Sequence, residues 1–213
     1  MHGQTETTLL PRSFASAMHA LAVLVAGWLL TRDGALSPRD GALLACSAVY
    51  WARATFGMLV LLKRRFAWSE AVMVTGLFGA IHPGMAWLGS GADGPLGVWD
   101  GVALVAYAVG SWLNTGSEYG RHVWKKDPAH RGRLYTEGLF RHAMHINYFG
   151  DTVLFTAFAA LTGSPWALVV PVVMTVGFVV QHIPALDAYL AERYGEEFDE
   201  YAARTRMFVP WVW

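Results

Sequence analysis

One cysteine, Cys46, is all that the chain contains. That excludes an intrachain disulfide and any zinc site built from several thiolates. Set in an apolar run, it reads as a small packing residue. Charge is scarce as well. Asp, Glu, Lys and Arg make up 15% of the 213 residues, where a soluble domain usually carries about 25%. Formal net charge is zero, so no global field points to nucleic acid as a partner. No H-E-x-x-H motif occurs. The H-x-x-H pair His142 and His145, even with His122, His130 and His182, is a poor match to the ligand sets of zinc or membrane di-iron sites, and no metal is expected. The N-terminal apolar run has no basic start and no A-x-A-like cleavage site, so it is expected to stay as a membrane anchor. No repeat or low-complexity tract is present.

Hydrophobic residues, by contrast, reach 54%. A spanning helix needs roughly 20 mostly apolar residues, and six segments qualify or nearly so: residues 14–30, 42–62, 70–88, 98–113, 151–161 and 165–181. They predict an all-α fold, a multi-pass transmembrane helical bundle of about six spans, with a tight turn at Gly163-Ser164-Pro165. Trp28, Trp68, Trp87, Trp99, Trp112 and Trp166 lie near proposed ends, as interfacial aromatic belts do. Lys63-Arg64-Arg65, the 121–141 loop, and Arg193, Arg204 and Arg206 follow the even-numbered spans. The positive-inside rule then puts both termini and these loops on the cytoplasmic side, and the expected location is a bacterial inner membrane. Arg32 and Arg39 fall on the other side, where neighbouring Asp33 and Asp40 are expected to neutralise them.

The information lies in a polar block, residues 114–151, NTGSEYGRHVWKKDPAHRGRLYTEGLFRHAMHINYFGD. Charges held against a bilayer are costly unless paired, wet or bound to a ligand. Asn114, Glu118 and Arg121 recur at i, i+4 and i+7, on one helical face. Lys125, Lys126, Arg131, Arg133 and Arg141 form a basic cluster, which anionic lipids alone would explain. The cluster is laced with Asp127, Tyr135, Glu137 and Asn147, however, and mixed donors and acceptors fit a nucleotide cofactor better. Tyr148 and Asp151 open the fifth span, and His182 and Asp187 close the sixth. Within the second span, Arg53 is either an interior ion pair or, one turn after Tyr50, half of a phenol–cation pair that could polarise a carbonyl. Gly89-Ser90-Gly91-Ala92-Asp93-Gly94 matches G-x-G-x-x-G, but an apolar span precedes it and Pro95 follows it, so it reads as a loop. Residues 187–201 predict one amphipathic helix on the cytoplasmic surface, a lid or an anchor.

In joint order and spacing these motifs resemble the steroid 5-alpha reductases and their bacterial relatives of unassigned function. The likeness runs from about Tyr50 to the C-terminus. It rests on Asn114-x-x-x-Glu118-Tyr119 with Lys125-Lys126-Asp127-Pro128, on Gly132-x-x-Tyr135-x-x-Gly138-Leu139-Phe140-Arg141, and on Asn147-Tyr148-Phe149-Gly150-Asp151. His182-x-x-x-x-Asp187, Tyr194-Gly195, Tyr201 and Pro210 resemble the tail shared with sterol C14-reductases. The resemblance implies a seven-span fold enclosing NADPH from the cytoplasmic side. It also implies a single integral membrane domain, residues 1–213, with residues 114–213 as the cofactor-binding half. Asn114, Glu118, Arg121, Tyr135, Asn147 and Asp151 would contact the cofactor, with Arg133, Arg141, His145, Tyr148, His182 and Asp187 completing the set. Tyr50 and Arg53 resemble a substrate-facing Tyr-x-x-Arg and are the expected catalytic pair. The family's acidic partner of that tyrosine is missing: residues 14–30 contain no Glu or Asp, and His19 is their one titratable group.

The same asparagine–tyrosine–glycine signature and tail also resemble the isoprenylcysteine and phospholipid methyltransferases, which bind S-adenosylmethionine. Here the proline of their Arg-His-Pro is absent, and Ile146-Asn147 takes its place. The expected function is an NADPH-dependent reductase of an activated C=C bond in a steroid-like or other lipidic substrate that enters from the bilayer. An S-adenosylmethionine-dependent membrane methyltransferase is the alternative. Oligomeric state is not legible.

Overall fold

The computed structural model describes residues 3–32, 34, 36–91 and 95–213. Asp33, and Ala92, Asp93 and Gly94 of the glycine motif, lie outside the described residues. Everything regular among the described residues is helical: α1 (Gly3–Thr31), α2 (Pro38–Phe56), α3 (Trp68–Gly89), α4 (Val98–Trp124), α5 (Ile146–Leu161), α6 (Val169–Gly177), α7 (Ile183–Tyr194) and α8 (Glu196–Arg204). The chain divides into two compact units. Unit one holds residues 1–104 and 157–168, and unit two holds residues 105–156 and 169–213.

In unit one, α1 packs along α3. Ala15, His19, Ala22 and Ala26 follow one another at helical spacing and are all buried, so α1 presents a stripe of small side chains to its neighbours. Ser37 caps α2. Its hydroxyl accepts from the Asp40 amide at 3.1 Å, and the Asp40 carboxylate accepts from the Ser37 amide at 3.0 Å. The Asp40 carboxylate is thereby engaged in the cap, and the partner of Arg39 is not Asp40, as the sequence suggests, but Asp100 at 2.8 Å. Arg39 also donates to the Leu161 carbonyl at 3.0 Å. Gly89 allows Leu43 to sit against α3, since a Cβ there would lie 2.4 Å from Leu43 Cδ1.

In unit two, α4 and α5 meet backbone to backbone. A Cβ on Gly110 would fall 2.6 Å from the Gly150 carbonyl oxygen, and one on Gly150 would fall 2.6 Å from the Asn114 amide nitrogen. Only glycine permits that approach. The segment Pro165–Tyr194 is helical throughout, with wider turns at Phe178–His182. Pro184 follows those turns; lacking an N–H, it cannot supply the hydrogen bond one turn back. The expected single helix over residues 187–201 is in fact two. Gly195 takes φ = 52° and ends α7 before α8 begins, a conformation that terminates a helix. Phe198 and Tyr201 of α8 are buried with Leu134 and Met144.

Among the described residues, four helices are long and apolar enough to cross a membrane: Leu9–Thr31, Pro38–Leu61, Trp68–Gly89 and Pro165–Tyr194. The other two expected spans fall short by that measure. α5 is 16 residues long, and α4, at 27 residues, runs into the polar stretch from Asn114 to Arg121. Large apolar side chains nevertheless face outward on each unit, among them Leu24, Val72 and Met73 in the first, and Val105, Val172 and Val173 in the second. Contiguous apolar surface of this kind is costly in water and ordinary against lipid.

Candidate functional site

The close α4–α5 crossing in unit two places five polar side chains in one hydrogen-bonded run. Asn114 Nδ2 donates to Asp151 Oδ2 at 3.0 Å and to the Asn147 carbonyl at 3.2 Å. Asn147 Nδ2 donates to Glu118 Oε1 at 3.0 Å. The other Glu118 oxygen accepts from Arg121. The Arg121 guanidinium lies over the Phe140 ring, 5.7 Å from its centroid, a cation–π arrangement. Ser117, buried, donates to the Asn114 carbonyl at 2.8 Å. All these groups are half-buried apart from Ser117 and Phe140, which are buried, so the run is reachable by a ligand. Amides and carboxylates in this mixture can hold hydroxyls and carboxamides, and Arg121 adds a cation at one end.

A second network in the same unit centres on His145. Its Nε2 contacts Asp187 Oδ1 at 2.9 Å, and its ring stacks near that of Tyr148 at 5.8 Å. Tyr148 stacks in turn on Phe178 at 4.6 Å. The backbone at Met144 and His145 pairs with the C-terminal tail, through the Arg206 and Met207 carbonyls at 2.7 and 3.0 Å. Tyr201 fastens the preceding turn by donating to the Phe140 carbonyl at 2.6 Å. Burial pushes the Tyr201 phenol above its ordinary pKa, as low dielectric disfavours phenolate. A cavity of about 380 Å³ opens beside this network, lined in part by Met144, Asp187, Phe198, Arg206 and Trp213.

The remaining expected cofactor residues are placed less tightly. Tyr135 is half-buried between the rings of Trp124 and Phe140, at 5.2 and 5.7 Å, and its pKa is raised first by burial and then by Glu137. Arg133 is exposed, 3.7 Å from Glu197. Arg141 is exposed and donates to His142 Nε2 at 3.3 Å. His182 is exposed and meets Phe178, the ring on which Tyr148 stacks, edge-on at 6.1 Å. The structure thus brings Asn114, Glu118, Arg121, Asn147 and Asp151 together, and separately His145, Tyr148 and Asp187.

Tyr50 and Arg53 belong to unit one. Tyr50 is buried, and the Arg53 guanidinium sits 5.4 Å from its ring centroid. Around Tyr50 lie His19 at 5.8 Å, Phe78 at 5.1 Å and His82 at 5.9 Å. His19 and His82 are fully buried and touch through their Nε2 atoms at 2.7 Å. Their Nδ1 atoms are buried with no hydrogen-bond partner among the described residues. A buried polar atom left unsatisfied costs roughly 1–3 kcal/mol. Sequence reasoning missed His82. Its one signal was a histidine before Pro83 in an otherwise apolar span, and only the packing of α1 on α3 supplies its partner.

The chain is 31% identical over 93 residues to a protein of Ustilaginoidea virens named as a probable O-methyltransferase, a match that covers 43% of this chain and 33% of that protein. It therefore spans about a third of the length of that curated relative. A family model described as a protein of unknown function (DUF1295) matches residues 56–205, and with most of its length so matched, the chain belongs to that family.

Proposed function

We propose that this protein is a membrane-embedded reductase that uses NADPH to saturate an activated C=C bond in a lipophilic substrate drawn from the bilayer. The observation that carries this reading is the hydrogen-bonded run Asp151–Asn114–Asn147–Glu118–Arg121 in unit two. Its donor set suits a dinucleotide. Asn114 and Asn147 can pair with a carboxamide, and Glu118 and Asp151 can accept from ribose hydroxyls. Arg121, with the exposed Arg133 and Arg141, would meet phosphates. Tyr135, His145, Tyr148 and Asp187 would frame the same ligand, and His182 would lie at its edge. NADPH, when bound, supplies the hydride. Tyr50 would donate to the substrate oxygen and pass on its proton, and Arg53 would stabilise the phenol as charge develops. The lysines and arginines of the polar block support a cytoplasmic position for that face.

A second reading has its own support. Glu118, Asp151 and Asp187 outnumber Arg121 in the two networks, which would suit the sulfonium of S-adenosylmethionine, and the relative from Ustilaginoidea virens is named as a methyltransferase. Thermal unfolding of the purified protein in detergent, with each cofactor in turn, separates the two. A ligand at a hundredfold excess over its Kd stabilises by about 2.7 kcal/mol. NADPH should raise the midpoint more than NADH does. A shift with S-adenosylmethionine and none with NADPH replaces the reductase by the methyltransferase, and silence from both removes each.

A further inference from the structure

We propose that His19 and His82 form a binding site, within unit one, for the oxygen of an uncharged lipophilic ketone or alcohol. The assignment rests on the reductase reading only for taking that molecule to be the substrate. An Nε2···Nε2 contact of 2.7 Å needs one imidazole to donate and the other to accept. The donor then carries a bare Nδ1, and the acceptor carries its own proton on Nδ1. The pair thus offers one further donor and one further acceptor, and both Nδ1 atoms are buried without partners among the described residues. Buried polar atoms are almost always hydrogen-bonded, so two such atoms at full burial call for a partner.

The surroundings are aromatic and flat. Phe78 stacks on His19 at 4.3 Å with the planes 7° apart, and Phe158 lies 6.2 Å from His82. On α1, His19 is flanked by Ala15 and Ala22, both small and buried. A charged ligand would be expensive here. A carbonyl oxygen accepts from the Nδ1–H, and a hydroxyl can also donate to the bare Nδ1.

The test uses protein labelled with 15N-histidine in lipid nanodiscs. The probe is 4-dodecylcyclohex-2-enone, and dodecylcyclohexane, with no oxygen, is the control. The enone should move the imidazole 15N resonances that vanish in His19→Asn and His82→Asn, and the hydrocarbon should not. Enone affinity should fall about tenfold in His82→Phe and fall less in His82→Asn, whose amide keeps a donor near the Nδ1 position. Equal shifts from both probes, no shift from either, or unchanged enone binding in His82→Phe would overturn the site. Should His82→Phe fail to fold, the wild-type spectra and His82→Asn still decide. NADPH is titrated separately. Imidazole shifts without any NADPH response keep the site and remove the reductase; the reverse removes the site alone.

Discussion

Single side chains hold the proposed cofactor face together, and Tyr201 is the one whose role can be checked without any ligand. It is buried, and its hydroxyl donates to the Phe140 carbonyl. Tyr201→Phe should lower stability by about 1 kcal/mol, the usual net worth of such a bond, read as a drop in thermal midpoint in detergent. The sign of the pH effect follows from burial. The folded phenol titrates above its ordinary value of 10.0, so its contribution is complete below that value and is lost as pH rises beyond it. The wild-type protein should therefore lose stability above about pH 10, with a steeper slope than Tyr201→Phe. Parallel slopes would show that this phenol is not the group responsible. At this scale the sequence was legible where a helix repeat fixes the geometry. Asn114, Glu118 and Arg121 share a face because their spacing alone requires it. His145 with Asp187, and His19 with His82, depend on contacts between distant segments, which no local spacing encodes.

Helices and their junctions were legible to the degree that hydropathy or backbone chemistry marks them. α2 with the turn after it, and α3, follow the apolar runs closely, since length and composition decide them, whereas α1 begins at Gly3, well before its run. The break at Gly195 was not foreseen, because the apolar periodicity on either side continues across it. The expected count of about six spans exceeds the four helices that pass on length and apolarity, because α5 is short and α4 turns polar halfway along. The Gly110–Gly150 crossing is the element-level feature that sets the candidate site. A Cβ on Gly150 would press on the backbone of the very residue, Asn114, that organises the hydrogen bonds. Gly150→Ala should cost roughly 1–3 kcal/mol by overpacking. It should also weaken NADPH binding, although residue 150 offers no side chain to a ligand. Thermal unfolding and a cofactor titration on the one variant check both, and wild-type values for the pair would mean that the helices can part without consequence.

Among the described residues, several of the sparse charges meet in defined pairs and networks, while the outward surface carries much apolar side chain. Arg39 with Asp100 and Arg64 with Glu70 serve unit one. Glu118 with Arg121 and His145 with Asp187 serve unit two. Such a division of polar and apolar residues suits a protein that works on a lipid-soluble substrate and draws a charged cofactor from water. Composition made the membrane character and the polar block legible at once. It could not rank NADPH against S-adenosylmethionine, because both need amides and carboxylates for their sugar and polar ends. The central claim is that the Asn114 network grips the dinucleotide. It is tested most directly by the Kd for NADPH from tryptophan fluorescence, in wild-type protein and in Asn114→Ala. Asn114→Ala should bind NADPH at least tenfold more weakly, a loss of about 1.4 kcal/mol. Equal affinity in the two proteins would contradict it.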